Sequence, residues 1–566
     1  MNEIIIVKPD KCVGCNACVR VCPSPEANIT KMVEEGKFIT SVNTEKCICC
    51  GECVKACNHG ARDYIDDTEA CMSKVGSEKM IILATPAIKA ALPTQWKGVL
   101  DWFKKKGCLI FDVSLGADIC TWAHLRAIES KQVGNVITQP CAAIVKYIET
   151  YQPKLLQNLS PIHSPILCTA TYIRKYQRRN NPIAVLSPCI AKKIEFSETG
   201  IIDYNVTLKK VMEYFDQNDI KIPTNDEKDY SYEFEEQQGQ LGGIYPRPGG
   251  LRDSLWAHNP DINIATGEGV HNIYPQLEMY AKMPDSKHPE VFDVLSCEFG
   301  CNMGPGTGTN QNVFDVLTTM KGVEEHARNR RRGGGMFNRG EDRLFKKFDE
   351  ELQLSDFIRS YSPGRPSLVP SDQQLIPVFE QMGKHTEADR CYNCHACGYR
   401  SCRDMAMAIY RGLNTPNNCI VHAKSVLIAK HSELASKHER LAAITEECLG
   451  LSDKLMHDIG NIGTNMNSIG EATTKTHERA NVVNDLLKNI VTFCNGNPTM
   501  DEGSVKQLIA ILETTIKAFG AVDDNITATN ESSGEINKSI SDITKLIEDL
   551  NSVLLQSENA ELKVES

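Results

Sequence analysis

Residues 181–196 read NPIAVLSPCIAKKIEF. The apolar run Ile183 to Leu186 is bounded by Pro182 and Pro188, the pattern of a short strand buried on both faces. Past Cys189, Ile190 and Ile194 stand four apart, the spacing of a helix. KMIILATPAIKAAL (79–92) and GCLIFDVSLGADICTWAHLRAI (107–128) repeat this strand-then-helix texture. The alternation predicts an α/β domain, with helices packed on a sheet.

The chain has 566 residues, 41% hydrophobic and 24% charged, which allows several domains of ordinary composition. No run of about 18 apolar residues occurs, so no membrane span is expected. MNEIIIVKPDKCVGC (1–15) enters a cysteine motif without a signal-peptide pattern, and a cytoplasmic protein is expected. A net charge of −11 speaks against a broad nucleic-acid surface. The run RNRRRGGG (Arg328 to Gly335) reads as a flexible basic loop. In a reducing compartment, 24 cysteines point to metal–sulfur sites, not to a disulfide scaffold.

Their grouping supports this. CVGCNACVRVCP (12–23) and CICCGECVKAC (47–57) both follow C-x2-C-x2-C-x3-C, the two-cluster ferredoxin pattern in which the last cysteine of each run serves the other cluster. Cys12, Cys15, Cys18 and Cys57 are assigned to one [4Fe–4S] cluster, and Cys47, Cys50, Cys53 and Cys22 to the other. Structural zinc is the alternative, but it does not need two interlocked quartets. Cys49 is left over.

Four more cysteines lie far apart: Cys141 in TQPCAAIVKYIE, Cys189 in LSPCIAKKIE, and Cys297 and Cys301 in SCEFGCNMGPGTG. The first two follow a proline just before a helical run, where helix amides favour a thiolate or an anionic group. The third segment ends in glycines that let backbone approach an inorganic ligand.

Together these segments resemble the three signatures of the [FeFe]-hydrogenase catalytic domain, and with the ferredoxin module the resemblance covers about residues 1–345. It implies that Cys141, Cys189 and Cys297 hold a cubane, and that Cys301 bridges it to a diiron unit carrying CO, cyanide and a dithiolate bridge. Lys192 matches the lysine that hydrogen-bonds a cyanide ligand, and Glu195 fits as its structural partner. ATPA (84–87) and GGL (249–251) match backbone segments lining the same cavity. Three positions depart from the pattern. Pro140 replaces a proton-relaying cysteine, Ser187 stands where methionine is common, and Leu295 replaces another methionine. The loss of the relay resembles the divergent branches of the family assigned to sensing.

Beyond SYSPGRPSLVP (360–370), Cys394, Cys397, Cys402 and Cys419 follow C-x2-C-x4-C-x16-C around a CGYRSC core. This is similar to the small four-cysteine Fe–S domain of corrinoid-associated and electron-transfer proteins, and implies a further cubane, with Cys391 a spare. Zinc is the alternative here too. From Val505, apolar and small polar residues continue in steps of three and four through Leu508, Leu512, Thr515, Phe519, Val522 and onward to Leu554, a sustained heptad seam. A similar rod carries Leu441, Ile444, Leu451, Ile462, Met466, Val483 and Leu487, and NGNPTMDEG (495–503) turns the chain between the two. The polar seam resembles the helical hairpin of methyl-accepting chemotaxis proteins, without that family's kinase-contacting tip.

The expected organisation is a two-cluster ferredoxin-like α+β module (1–76), an α/β hydrogenase-like domain (77–358), a linker (359–380), a four-cysteine domain (381–424) and an antiparallel helical coiled coil (425–566). The expected function is slow H2/proton interconversion used for hydrogen or redox sensing, with Cys301, Lys192 and Pro140 at the reacting centre. A redox partner protein, a signalling partner on the helices and a homodimer are the expected associations. A non-catalytic electron-transfer scaffold, or a catalytic subunit feeding a partner enzyme, are the alternatives.

Overall fold

The computed structural model describes residues 3–34, 37–226, 230, 232–308, 312–332, 343–364, 367–496 and 499–562. They fall into two units, Met1–Ser425 and Val426–Ser566, each treated by itself below.

The first unit contains eleven strands: β1 (Ile5–Val7), β2 (Asn28–Glu34), β3 (Lys37–Val42), β4 (Arg62–Tyr64), β5 (Ile81–Ala84), β6 (Leu109–Asp112), β7 (Val136–Ile137), β8 (Ile183–Ser187), β9 (Tyr204–Thr207), β10 (Ile264–Glu268) and β11 (Val291–Leu295). Two parallel sheets form the centre, in the orders β6-β5-β8-β9 and β10-β11-β7. The apolar runs of β5, β6 and β8 are buried along their whole length, as strands covered on both faces must be. Ile82 pairs with Ile110 on one side and Ala184 on the other. The helix Val113–Glu129 leaves β6 under an Asp112 cap, whose carboxylate accepts from the Ser114 N–H at 2.9 Å. Gly116 lets it meet the helix Pro165–Thr171 closely, since a Cβ there would lie 2.3 Å from the Pro165 carbonyl oxygen.

The ferredoxin module pairs β1 with β4 and β2 with β3, both antiparallel. It shares a core with the central domain: Ile5, Ile48 and Tyr64 pack in one buried cluster with Ile144, Ile148 and Tyr274. The Tyr64 hydroxyl also meets Thr207 Oγ1 at 2.9 Å.

Two expectations are corrected here. The linker assigned to 359–380 contains a helix, Asp372–Gln381, started by a Ser371/Gln374 capping box. Its Leu375, Val378 and Phe379 sit at helical spacing and pack against Met405 and Ala406 of the four-cysteine domain, so Pro377 does not mark loop. The basic run from Arg328 is, up to Arg332, the end of the helix Val313–Arg332, and residues 333–335 lie outside the described residues. Its arginines are used internally: Arg328 pairs with Glu324 at 2.7 Å, and Arg330 and Arg331 donate to Gln238 Oε1 and the Ala257 carbonyl, both at 2.6 Å.

The second unit is helical. The helix Ile420–Gly496 enters it, and Glu502–Leu562 returns, with Arg479 donating across to the Ala521 carbonyl at 2.6 Å. Asn497 and Pro498 of the expected turn lie outside the described residues. Only half of the expected seam is inside the hairpin. Every seventh residue from Leu508 to Leu550 is buried or half-buried, but Val505, Leu512, Phe519, Ile526, Ile540 and Ile547 are 41–54% exposed. A neighbouring column, Ser504, Ile511, Ala518, Asn525, Ser532, Ser539 and Leu546, is half-buried in their place. Of the other rod, Val483 is buried while Leu441, Met466 and Leu487 are exposed. The side chain of Leu554 lies outside the described residues. Among the described residues no helix is long and apolar enough to cross a membrane.

Candidate functional site

Parallel strands deliver their ligand-bearing loops at their carboxyl ends, and both parallel sheets do so here. β7 leads through Pro140 to Cys141, the N-cap of the helix Ala142–Tyr151. β8 leads through Pro188 to Cys189, before the helix Lys192–Thr199. β11 leads to Cys297, and Cys301 opens a short 3-10 turn to Met303. All four cysteines, with Lys192 and Pro140, line one cavity of about 760 Å³ of non-atom space. Thr85 and Ala87, from the segment after β5, belong to its wall. Gly249 and Leu251 are absent from the lining, although Tyr245 and Pro246 just before them are present. The loop between Cys297 and Cys301 is held in place by Gly300, at φ +82, where a Cβ would lie 2.2 Å from the Pro246 carbonyl oxygen.

The chemistry of the cavity is that of crowded, desolvated sulfur. Burial pushes the Cys189 thiol up to about 11, with Cys141 adding to the rise. Burial does the same more strongly at Cys297 and Cys301, again helped by neighbouring sulfurs. Four thiolates here are unstable unless metal takes the place of their protons. Lys192 supplies the positive charge. Its ammonium donates to Glu195 Oε2 at 2.6 Å, and that carboxylate also accepts from Ser164 Oγ at 3.0 Å and faces Arg359 at 3.5 Å. Glu195 takes one of three ammonium donors, leaving two for a ligand in the cavity.

The other cysteine sets also converge. Cys18 lies near Cys12 and Cys15, and Cys22 near Cys47 and Cys50. Between the two sets stands Arg62, which is buried, donates to Cys18 Sγ at 3.3 Å and to Asn28 Oδ1 at 2.9 Å, and leaves Nη1 without a partner. Cys18, Cys53 and Cys22 all hold its charge in place against desolvation. A buried guanidinium requires an anion, and sulfur supplies it here, which fits a pair of anionic clusters. Cys57 adjoins the set in sequence at the end of the helix Glu52–Lys55. Cys394, Cys397, Cys402 and Cys419 line a second cavity of about 310 Å³; Cys391 is exposed and does not line it. Cys49 is buried, and its N–H points to Cys47 Sγ at 3.4 Å. Among the described residues no three cysteine, histidine or acidic side chains are placed to hold a single metal ion.

Comparison with known families agrees with this layout. Residues 78–305 match the family model of the iron only hydrogenase large subunit, C-terminal domain, a stretch that contains all four cavity cysteines. This segment is similar to an iron-only hydrogenase domain. Residues 11–61 match the 4Fe-4S dicluster domain, and 392–421 match the Fe-S cluster model. No curated protein matches the chain. Among solved structures, the chain is similar to a HydA(deltaEFG) structure described for stepwise [FeFe]-hydrogenase H-cluster assembly (12% identity, 53% of this chain and 99% of that one, TM-score 0.39). It is likewise similar to a variant of [FeFe]-hydrogenase HydA1 from Chlamydomonas reinhardtii (11% identity, 54% of this chain and 100% of that one, TM-score 0.38).

The hydrogenase-type domain contains polar groups that sequence reading passed over. Cys120 and Cys168 look like ordinary core thiols by sequence, and both are buried. They form one group with His124 and Tyr245. Burial would raise the Cys120 thiol, but Cys168 and the His124 ring outweigh it and bring it to about 5. His124 lies 3.6 Å from Cys120 Sγ and 2.9 Å from Ser160 Oγ. Tyr245 lines the cavity and shares a 2.8 Å hydrogen bond with Thr121. Burial lifts the Asp293 carboxyl to about 6, against hydrogen bonds from the Arg252 N–H and Thr138. The one legible signal was the i, i+4 spacing of Cys120 and His124 on a helix.

Proposed function

We propose that this hydrogenase-like iron–sulfur chain interconverts H2 with protons and electrons, slowly, at an H-cluster in the Cys141–Cys189–Cys297–Cys301 cavity, and that it reports hydrogen or redox state. One observation carries this: four cysteines from three distant loops and a buried lysine line one cavity. Bound there, the group would supply a low-potential iron site able to polarise H2. The chain's own residues do the rest. Cys141, Cys189 and Cys297 would anchor the cubane and Cys301 the diiron unit, while Lys192, steadied by Glu195, would donate to an anionic ligand. The wall of the cavity is mostly apolar. Pro140 offers no proton to the cavity, which supports slow turnover and a sensing role. The same proline favours the second reading, a non-catalytic electron-transfer protein with a bare cubane.

Anaerobic infrared spectroscopy after cofactor maturation separates the two. Bands from iron-bound CO and cyanide are expected, and their absence would leave only the second reading.

The signal would leave through the helices. The exposed heptad column of Leu512, Phe519 and Ile526 supports a homodimer in which a second copy covers it. Replacing Phe519 and Ile526 with aspartate should halve the mass found by sedimentation; a wild-type protein already monomeric at micromolar concentration would sink the dimer.

A further inference from the structure

We propose that the four-cysteine domain is joined to the ferredoxin module at a built junction, and that it is the terminal electron-exchange centre of a single redox path into the cavity. This rests on reading the cysteines as cluster ligands, as above, but not on the presence of a diiron unit.

The junction is a reciprocal amide pair. Asn16 Nδ2 donates to Asn418 Oδ1 at 2.9 Å, and Asn418 Nδ2 donates back to Asn16 Oδ1 at 3.3 Å. Both side chains are buried, and Asn414 Oδ1 accepts a further hydrogen bond from Asn418 at 3.2 Å. Asn16 follows Cys15 directly, at φ 58, and Asn418 directly precedes Cys419. Two ligand-bearing loops, 402 positions apart in sequence, are thus coupled by their own neighbouring residues.

Packing around the pair is equally close. Gly398, at φ +87, sits where a Cβ would lie 2.8 Å from Val19 Cβ and 3.0 Å from the Asn16 carbonyl oxygen. Val19 shares one buried cluster with Cys397, Cys402 and Cys419, and Cys18 packs against it. Leu413 accepts from the Thr30 N–H at 2.8 Å, and Arg411 pairs with Glu26 at 3.2 Å. Tyr399 lines a pocket between the two modules together with Val19, Cys22 and Gly398.

The path continues inward. Tyr274 donates to or accepts from Ser296 Oγ at 2.8 Å, and burial together with Cys50, Cys141 and Cys297 raises its hydroxyl, so it lies among sulfurs of the ferredoxin and cavity sets. Cys50 and Cys53 pack against the buried cluster that holds Tyr274 and the cavity residue Cys141. At the outer end Cys394 is exposed while Cys397, Cys402 and Cys419 are buried. One electron from an external one-electron reductant would enter at this corner and pass from set to set; each donor centre returns to its oxidised state, and no bond or proton moves.

The test is electron paramagnetic resonance of the dithionite-reduced, iron-loaded full chain. A Cys402→Ser variant identifies the signal of the terminal centre. In the wild type that signal should be split or broadened by coupling to the ferredoxin centres. Gly398→Val should abolish the splitting with iron content unchanged. If iron content falls instead, Asn418→Ala, which removes the amide pair without adding bulk, decides by the same readout. A wild-type spectrum equal to the sum of uncoupled centres, or splitting that survives Asn418→Ala, would overturn the junction. Missing CO and cyanide bands would overturn the proposed function and leave this result standing.

Discussion

Replacing Pro140 with cysteine should raise H2 turnover by about 100-fold or more, the contribution expected of a positioned acid–base group. Pro140 precedes the N-cap Cys141 and lines the cavity, so a side chain here meets the reacting space directly. Proline has neither an ionisable group nor an N–H, whereas a thiol carries a proton that it can give and take back. The exchange removes a ring from the wall of a cavity that has room for a thiol, so the structural cost should stay at about 1 kcal/mol or less. The measurement is H2 evolution with a reduced electron carrier, made on protein whose infrared bands match those of the wild type. Equal rates in the two proteins would mean that proton supply is not what limits this site.

Glu195→Ala should lower the stability of the hydrogenase-type domain by about 3–5 kcal/mol, the usual cost of leaving one partner of a buried ion pair alone. The Lys192 ammonium sits 2.6 Å from Glu195, both almost fully buried, and the carboxylate also ties Ser164 and Arg359 into the same group. Arg359 keeps Glu198 at 3.1 Å, so the loss falls on Lys192. Glu195→Gln, which keeps an acceptor but not the charge, should recover part of it. Denaturant unfolding of both variants checks the order. A Glu195→Ala loss below about 1 kcal/mol would show that Lys192 finds other compensation.

Spacing carried much of this in the one-dimensional chain. C-x2-C-x2-C-x3-C runs, Pro-Cys turns before helices and the C-x3-C-glycine loop are local patterns, and the structure gathers the cavity four and the downstream four each around one pocket. What spacing could not carry is long-range complementarity. Arg62 reads as one more surface arginine until β4 places it between two sulfur sets. Asn16 and Asn418 are ordinary polar residues until their loops meet. The helix Asp372–Gln381 was hidden because prolines nearby mimic a linker, although its capping box was visible. In the rods the heptad period was legible, but not which of two neighbouring columns faces inward, which the period alone does not say.

The delivery of thiols from the ends of two separate sheets has a consequence for how the protein is made. The ferredoxin cysteines span residues 12 to 57, a short local stretch of the chain. The cavity needs β7, β8 and β11 in place at once, and its last cysteine is residue 301. The cavity set therefore comes together only after residue 301 has been made and three strands have packed, whereas all the ferredoxin-type cysteines lie within the first 57 residues.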